Sequence, residues 1–176
     1  KEVKFPSGAV IDSGDPNTNL CMNCHQGRES TVSLNSFIGD VEVDTVSDKL
    51  RFRNPHYFAA GATRFGSDAK GAYEYEGKEY VGFFDHAAEA NNCTDCHGAH
   101  SLEVKWDTCT ECHNEVQTKE DIFAIRYNLD DWDGDGDTEE SANDELMGMR
   151  EVLYAAIQAY AKDKAGAALV YTGDAN

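Results

Sequence analysis

All six cysteines of this chain lie in one five-residue pattern that occurs three times: Cys21-Met-Asn-Cys24-His25, Cys93-Thr-Asp-Cys96-His97 and Cys109-Thr-Glu-Cys112-His113. Cys-x-x-Cys-His is the attachment signature of c-type haem. The chemistry needs these residues at this spacing. Two thiols bond to the vinyl groups at one edge of a porphyrin, and the adjacent imidazole reaches the iron as proximal ligand. A short turn of chain meets both demands. The competing reading of Cys-x-x-Cys pairs is a zinc site, for instance from Cys93, Cys96, Cys109 and Cys112, or a thioredoxin-like redox pair. Zinc leaves unexplained why a histidine follows all three pairs, and no βαβ pattern surrounds any of them. The expected cofactors are three haem c groups, held covalently by Cys21, Cys24, Cys93, Cys96, Cys109 and Cys112. His25, His97 and His113 are the expected proximal ligands.

The histidine inventory narrows the chemistry. The chain has six histidines, and the three outside the motifs are His56, His86 and His100. Three irons with two axial positions each take six ligands, so the simplest assignment makes these three the distal ligands. Methionine is the rival. Met22 lies inside the first attachment run, where its side chain does not readily reach the far face of a ring, and Met147 and Met149 fall in a helical segment away from the motifs. Saturated irons exchange electrons and offer no position to a substrate, so the expectation is an electron carrier and not an enzyme. The alternative is a small multihaem oxidoreductase with one displaceable ligand.

A length of 176 residues suits one domain by size. Three porphyrins would supply large apolar faces, so the polypeptide need not build a full core. The expected fold is mostly irregular and haem-packed, with a few short helices, one longer C-terminal helix and a small β-hairpin. The expected organisation is a single tri-haem domain over 1–176, with its haem-binding part at 21–113. No run of about 18 apolar residues is present, so no membrane-spanning helix is expected. The net charge of −18 argues against nucleic acid and against anionic membrane surfaces as partners. Covalent haem is attached outside the cytoplasm. The chain is therefore expected at the cell surface, outside the cell or in the periplasm, with a secretory leader removed.

Local patterns place the elements. Residues 1–20 show little regular pattern. The run Val41–Phe52 mixes a short alternation with helical character. In Asn54-Pro55-His56-Tyr57 the proline suits a helix start, which places His56 on a first turn. Ala72–Val81 reads as a β-hairpin, with Tyr73 and Tyr75 alternating with Glu74 and Glu76 before a turn at Gly77. His97 and His100 are three apart, which on a helical turn puts both on one face, so they would serve two different irons held close together.

The upstream His86, the Cys93 and Cys109 motifs and His97-Gly98-Ala99-His100 resemble the doubled Cys-x-x-Cys-His module of multihaem cytochromes. With Asn54–Phe58, the Gly71–Val81 segment and the tail beyond Trp132, the chain resembles extracellular multihaem c-type cytochromes over roughly Leu20 to Tyr160. Some members of that group polymerise into conductive filaments. The resemblance implies outer-sphere electron transfer between closely spaced bis-histidine haems, a homopolymer or other redox proteins as partners, and electron acceptors outside the cell. A short apolar strand at Ala167–Thr172 would offer an edge for pairing with a second copy. A monomeric periplasmic carrier is the alternative.

A last motif concerns calcium. Asp131-Trp132-Asp133-Gly134-Asp135-Gly136-Asp137 matches the first half of a calcium loop, within an acidic stretch at 128–145. Carboxylates on alternate residues converge on one hard cation, and Gly136 permits the sharp turn. The closing glutamate belongs at position twelve, which is Ala142. Glu139 and Glu140 come early, Asp144 and Glu145 late, and the expected ligands are Asp131, Asp133, Asp135, Asp137 and Glu145. Between Arg126 and Arg150 stand nine acids and no base, so the other reading is a solvated acidic loop. Beyond it, 143–162 reads as the best helix of the chain. Leu146, Met149, Leu153, Ala156, Ile157 and Tyr160 recur at helical spacing as a core-packing stripe, and Ser141 or Asn143 is placed to cap it.

Overall fold

A computed structural model of the chain describes residues 1–56, 58–87, 90–126, 129–166 and 168–169. It divides into two compact units, Lys1–Val104 and Lys105–Asn176. The first two motifs belong to the first unit and the third to the second.

The first unit opens with a hairpin in the segment that looked patternless. Strand β1 (Val3–Lys4) pairs antiparallel with β2 (Val10–Ile11), in the register Val3 to Ile11 and Lys4 to Val10. The turn closes through Phe5 N–H to the Ala9 carbonyl at 2.8 Å, with Gly8 at φ +92°. The hairpin forms here because Val3 and Phe5 are buried against the rest of the unit. Helix α1 (Pro16–His25) follows, with Pro16 in its first turn and the Asp15 carboxylate accepting the Thr18 amide at 2.6 Å. Both features are standard helix starts, since the first turn has amides without carbonyl partners. Helix α2 (Thr31–Ile38) begins with a reciprocal capping box between Ser30 and Ser33.

Helix α3 (Ala60–Ala69) completes the small core. Val3, Phe5, Met22, Ala62, Phe65 and Ala69 form one buried cluster, with Phe5 meeting Phe65 edge-on at 6.4 Å and Phe65 stacked on Phe83 at 5.1 Å. Met22, from within the first motif, is thus a core residue. Gly66 kinks α3 at φ +47°, where an added Cβ would stand 2.2 Å from the Val81 carbonyl oxygen. That approach lets residues 80–83 bond along the helix end, through Ser67 N–H to Val81 O and Phe83 N–H to the Asp68 carboxylate.

Three local expectations are corrected. Ala72–Val81 contains no strand. Thr31 on α2 donates its hydroxyl to the Ala72 carbonyl and accepts the Glu74 amide, and the Tyr73 hydroxyl donates to Asn35. Side chains of α2 thereby take groups that a ladder would have used, and only a turn remains, from Lys78 N–H to Tyr75 O. Val41–Phe52 forms turns and no helix. His56 is not on a helix: the Asn54 side chain captures its amide at 2.8 Å, its φ is +75°, and α3 starts only at Ala60. Tyr57 lies outside the described residues.

In the second unit the long helix is present as expected. Helix α6 (Ala142–Tyr160) is capped by Ser141, which accepts the Asp144 amide, and a π-helical segment (Ala161–Ala165) continues it to a left-handed Gly166. Its stripe differs from expectation. Leu146, Met149, Leu153, Ala156, Ile157 and Tyr160 are all exposed, and the buried residue of α6 is Glu145. Helical periodicity reports that apolar residues share a face. It does not report what covers them. The strand expected at Ala167–Thr172 falls mostly outside the described residues. No helix among the described residues is long and apolar enough to cross a membrane.

Candidate haem-attachment and metal sites

Each motif is one helical turn. The first forms the last turn of α1. The second is α4 (Cys93–Cys96), started by a capping box between Asn92 and Asp95. The third begins at the end of α5 (Trp106–Cys109). In the second and third the histidine amide donates to the carbonyl of the first cysteine, at 2.9 Å for His97 and 2.8 Å for His113. Helical spacing puts the two cysteines, three apart, on one side of the turn, with the histidine one position further on. All six cysteines carry free thiols.

The motif imidazoles share a second property. His25 Nδ1 meets the Phe58 carbonyl oxygen at 2.6 Å, His97 Nδ1 meets the Leu102 carbonyl oxygen at 3.1 Å, and His113 Nδ1 meets a Glu115 carboxylate oxygen at 3.3 Å. An acceptor at Nδ1 places the proton there and leaves the Nε2 lone pair for a metal. Ligating histidines generally make this outer bond, which orients the ring and raises its basicity. Phe58 and Leu102, the two carbonyl donors of electron density, both stand at positive φ, +52° and +62°. Left-handed backbone is costly for such side chains and concentrates where geometry is constrained by a site. The residues therefore fit a c-type haem: two free thiols on one turn for the porphyrin edge and an imidazole with Nε2 available for the iron, three times over.

The first two motifs are packed together. Helices α1 and α4 are in contact, and the Cys93 amide donates to the buried Thr18 hydroxyl at 3.1 Å. Burial, followed by the neighbouring Cys93 thiol, pushes the Cys21 thiol up in pKa. The expected distal ligands lie outside helices and strands: His56 half-buried and His86 exposed in irregular chain, His100 exposed in a turn. His97 is extended, and a loop closed by Gly98 N–H to Glu103 O carries His100, so the shared helical face expected for His97 and His100 is absent. His97 instead leads into the turn, and His100 lies within it.

The acidic loop is organised by its own backbone. Asp131 accepts the amides of Gly134 and Gly136, Asp133 that of Asp135, Asp135 that of Asp137, and Asp137 that of Glu139. Successive Asx turns of this kind coil the chain around its carboxylates. Two groups of acids converge: Asp131, Asp133 and Glu145, and Asp133, Asp135 and Glu140. Asp137 belongs to neither group. Glu145 acts differently from the other acids. Fully buried, it pairs with Arg126 at 2.8 Å and accepts the amides of Trp132 and Asp133 with its other oxygen. Arg126 also donates to the carbonyls of Glu140 and Asp130, stitching both ends of the loop. The Asp133 carboxylate rests on α6 at Gly148, where a Cβ would lie 1.6 Å from its oxygen.

Charge in the loop is only partly balanced. For Asp133 the Asp135 amide lowers the pKa, but burial and the charges of Asp135, Glu145 and Asp131 win and raise it. Burial, then repulsion from Asp135, Asp133, Glu145 and Asp137, raises Glu140. A hard cation among these oxygens would offset that repulsion, and the all-oxygen donor set suits calcium. Sequence reasoning missed Arg126, Gly148 and the three acceptors at Nδ1. A lone base ahead of nine acids and a glycine inside a long helix were the available signals. No family model, curated protein or solved structure matches the chain.

Glu145 yields a prediction. Burial alone would raise its pKa, but Arg126 and the two amides outweigh burial and lower it below the ordinary 4.5. A depressed carboxyl contributes stability that is complete above the unfolded value and is lost as pH falls through the folded one. Acid unfolding of Glu145→Gln, followed by circular dichroism at 222 nm, should therefore start from lower stability at neutral pH. The gap to the wild type should narrow below about pH 4.5.

Proposed function

We propose that this chain is a tri-haem c-type cytochrome that carries electrons by outer-sphere transfer, and that it resembles extracellular multihaem cytochromes in role as in motif. The observation that carries the proposal is the threefold repetition of one helical turn with two free thiols and a histidine tied at Nδ1. Bound there, haem c would supply a one-electron ferric/ferrous couple at each motif. The chain's own residues would then do the rest. The cysteines fix position, the Phe58 and Leu102 carbonyls and the Glu115 carboxylate fix ring orientation, and His56, His86 and His100 saturate the irons. Two imidazoles per iron keep geometry nearly constant between oxidation states and favour lower potentials than methionine ligation. Contact between α1 and α4 supports close spacing of the first two centres.

Assembly is part of the proposal. Residues 105–176 contain one motif and no histidine besides His113. On the bis-histidine reading, the second imidazole for that iron would be one that residues 105–176 do not contain. A neighbour's histidine would link subunits into a filament, and the exposed apolar stripe of α6 offers further contact area. An extracellular or cell-surface location follows from this reading. Spectra of the matured protein test it. All centres should be low-spin in both oxidation states and should not bind cyanide or nitrite at stoichiometric levels, whereas a high-spin, ligand-binding centre would favour an oxidoreductase. Electron microscopy at high concentration should show filaments, and isolated particles alone would contradict the assembly.

Calcium in the acidic loop is the second element. Two groups that share Asp133 are arranged to hold it, Asp131 with Asp133 and Glu145, and Asp133 with Asp135 and Glu140, while Glu145 also clamps the loop through Arg126. Calorimetric titration should give one calcium per chain. Gly148→Ala displaces Asp133 and should weaken affinity about tenfold, in the range found when groups supporting a metal site are removed.

A further inference from the structure

The three motif histidines are not equivalent. His25 and His97 face neutral carbonyl oxygens, whereas His113 faces a carboxylate. Glu115 is brought there by a tight turn: the Val116 amide donates to the His113 carbonyl at 3.1 Å, and the Val116 side chain is fully buried. The turn pins the chain immediately after the motif, so Glu115, two residues on, folds back onto its ring. Downstream, Asp121 accepts the amides of Gln117 and Thr118 and holds the segment that leaves the turn.

We infer that Glu115 is a positioning residue that sets the third centre electronically apart, holding its reduction potential below the value that a carbonyl acceptor at His113 would give. The inference rests on the proposed haem reading. A negatively charged acceptor draws the Nδ1 proton more strongly than a neutral one. The ring then becomes a better donor at Nε2, and greater basicity stabilises ferric over ferrous iron. The carboxylate is about half exposed, at 55 %, so salt screens its effect and the difference is largest at low ionic strength.

The test compares wild type with Glu115→Gln in the full chain, matured with haem, by optical redox titration at low salt. Glutamine keeps an acceptor oxygen and removes the charge. One of the three midpoint potentials should rise, by roughly a tenfold change in the ferric-to-ferrous ratio, or about 59 mV for one electron, while the other two stay. Glu120→Gln makes the same charge change on the same unit without the ring contact and should leave all three in place. Unmoved potentials in Glu115→Gln, or equal shifts in both variants, would overturn the inference. Intact mass of the same samples separates the two levels. Three haems with unmoved potentials defeats only the role of Glu115, whereas no covalent haem defeats the proposed function itself.

Discussion

A helical turn that ends in a histidine with its Nδ1 already occupied is the constraint on which the rest of this chain depends. The backbone bond from the histidine amide to the first cysteine's carbonyl closes the turn and puts two thiols side by side. The bond at Nδ1 removes one of the ring's two coordinating atoms and aims the other. Neither bond is strong alone, each being worth about 1 kcal/mol net in water-exposed settings. Their effect is geometric. At the first two motifs the Nδ1 acceptors are the carbonyls of the left-handed Phe58 and Leu102.

The polypeptide around these turns buries little of its own apolar surface. Among the described residues eight apolar side chains are buried: Val3, Phe5, Met22, Ala62, Phe65, Ala69, Val116 and Ala161. Six of them form one cluster between the hairpin, α1 and α3. Elsewhere order comes from polar stitching, as where Thr31 and Asn35 hold the 72–74 segment or where Arg126 and Glu145 hold the acidic loop. A chain so built gains from large apolar groups laid against it, which is the part the proposed haems would play. The acidic loop follows the same logic with charge: one buried ion pair fixes the backbone, and the repulsion among the remaining carboxylates is what a bound cation would offset.

How much of this was legible in the sequence depended on the range of the interaction. The Ser141 cap and the helical period of α6 are local patterns, and the structure bears both out. The alternating aspartates read as half of a calcium loop, and their carboxylates do converge in two groups. The Phe58 carbonyl could not be read, because its meeting with His25 depends on a backbone dihedral 33 residues away. The hairpin was misplaced because tyrosine–glutamate alternation at 72–81 has no apolar face to bury, while Val3 and Phe5 do. Glu145 was legible as a candidate calcium ligand, and it does converge with Asp131 and Asp133, but nothing local marks it as the partner of Arg126 as well. The α6 stripe was expected to be covered because periodicity is silent about neighbours.

The central claim is that each of the three motifs binds a haem covalently through its own turn. Its most direct test is the intact mass of the chain expressed in a host with haem-attachment machinery, with a parallel Cys→Ala variant at both cysteines of each motif. The account predicts three haem increments for the wild type and a loss of one in each variant, with iron and no zinc by elemental analysis. A chain that carries no haem mass and retains zinc on its cysteines would contradict it.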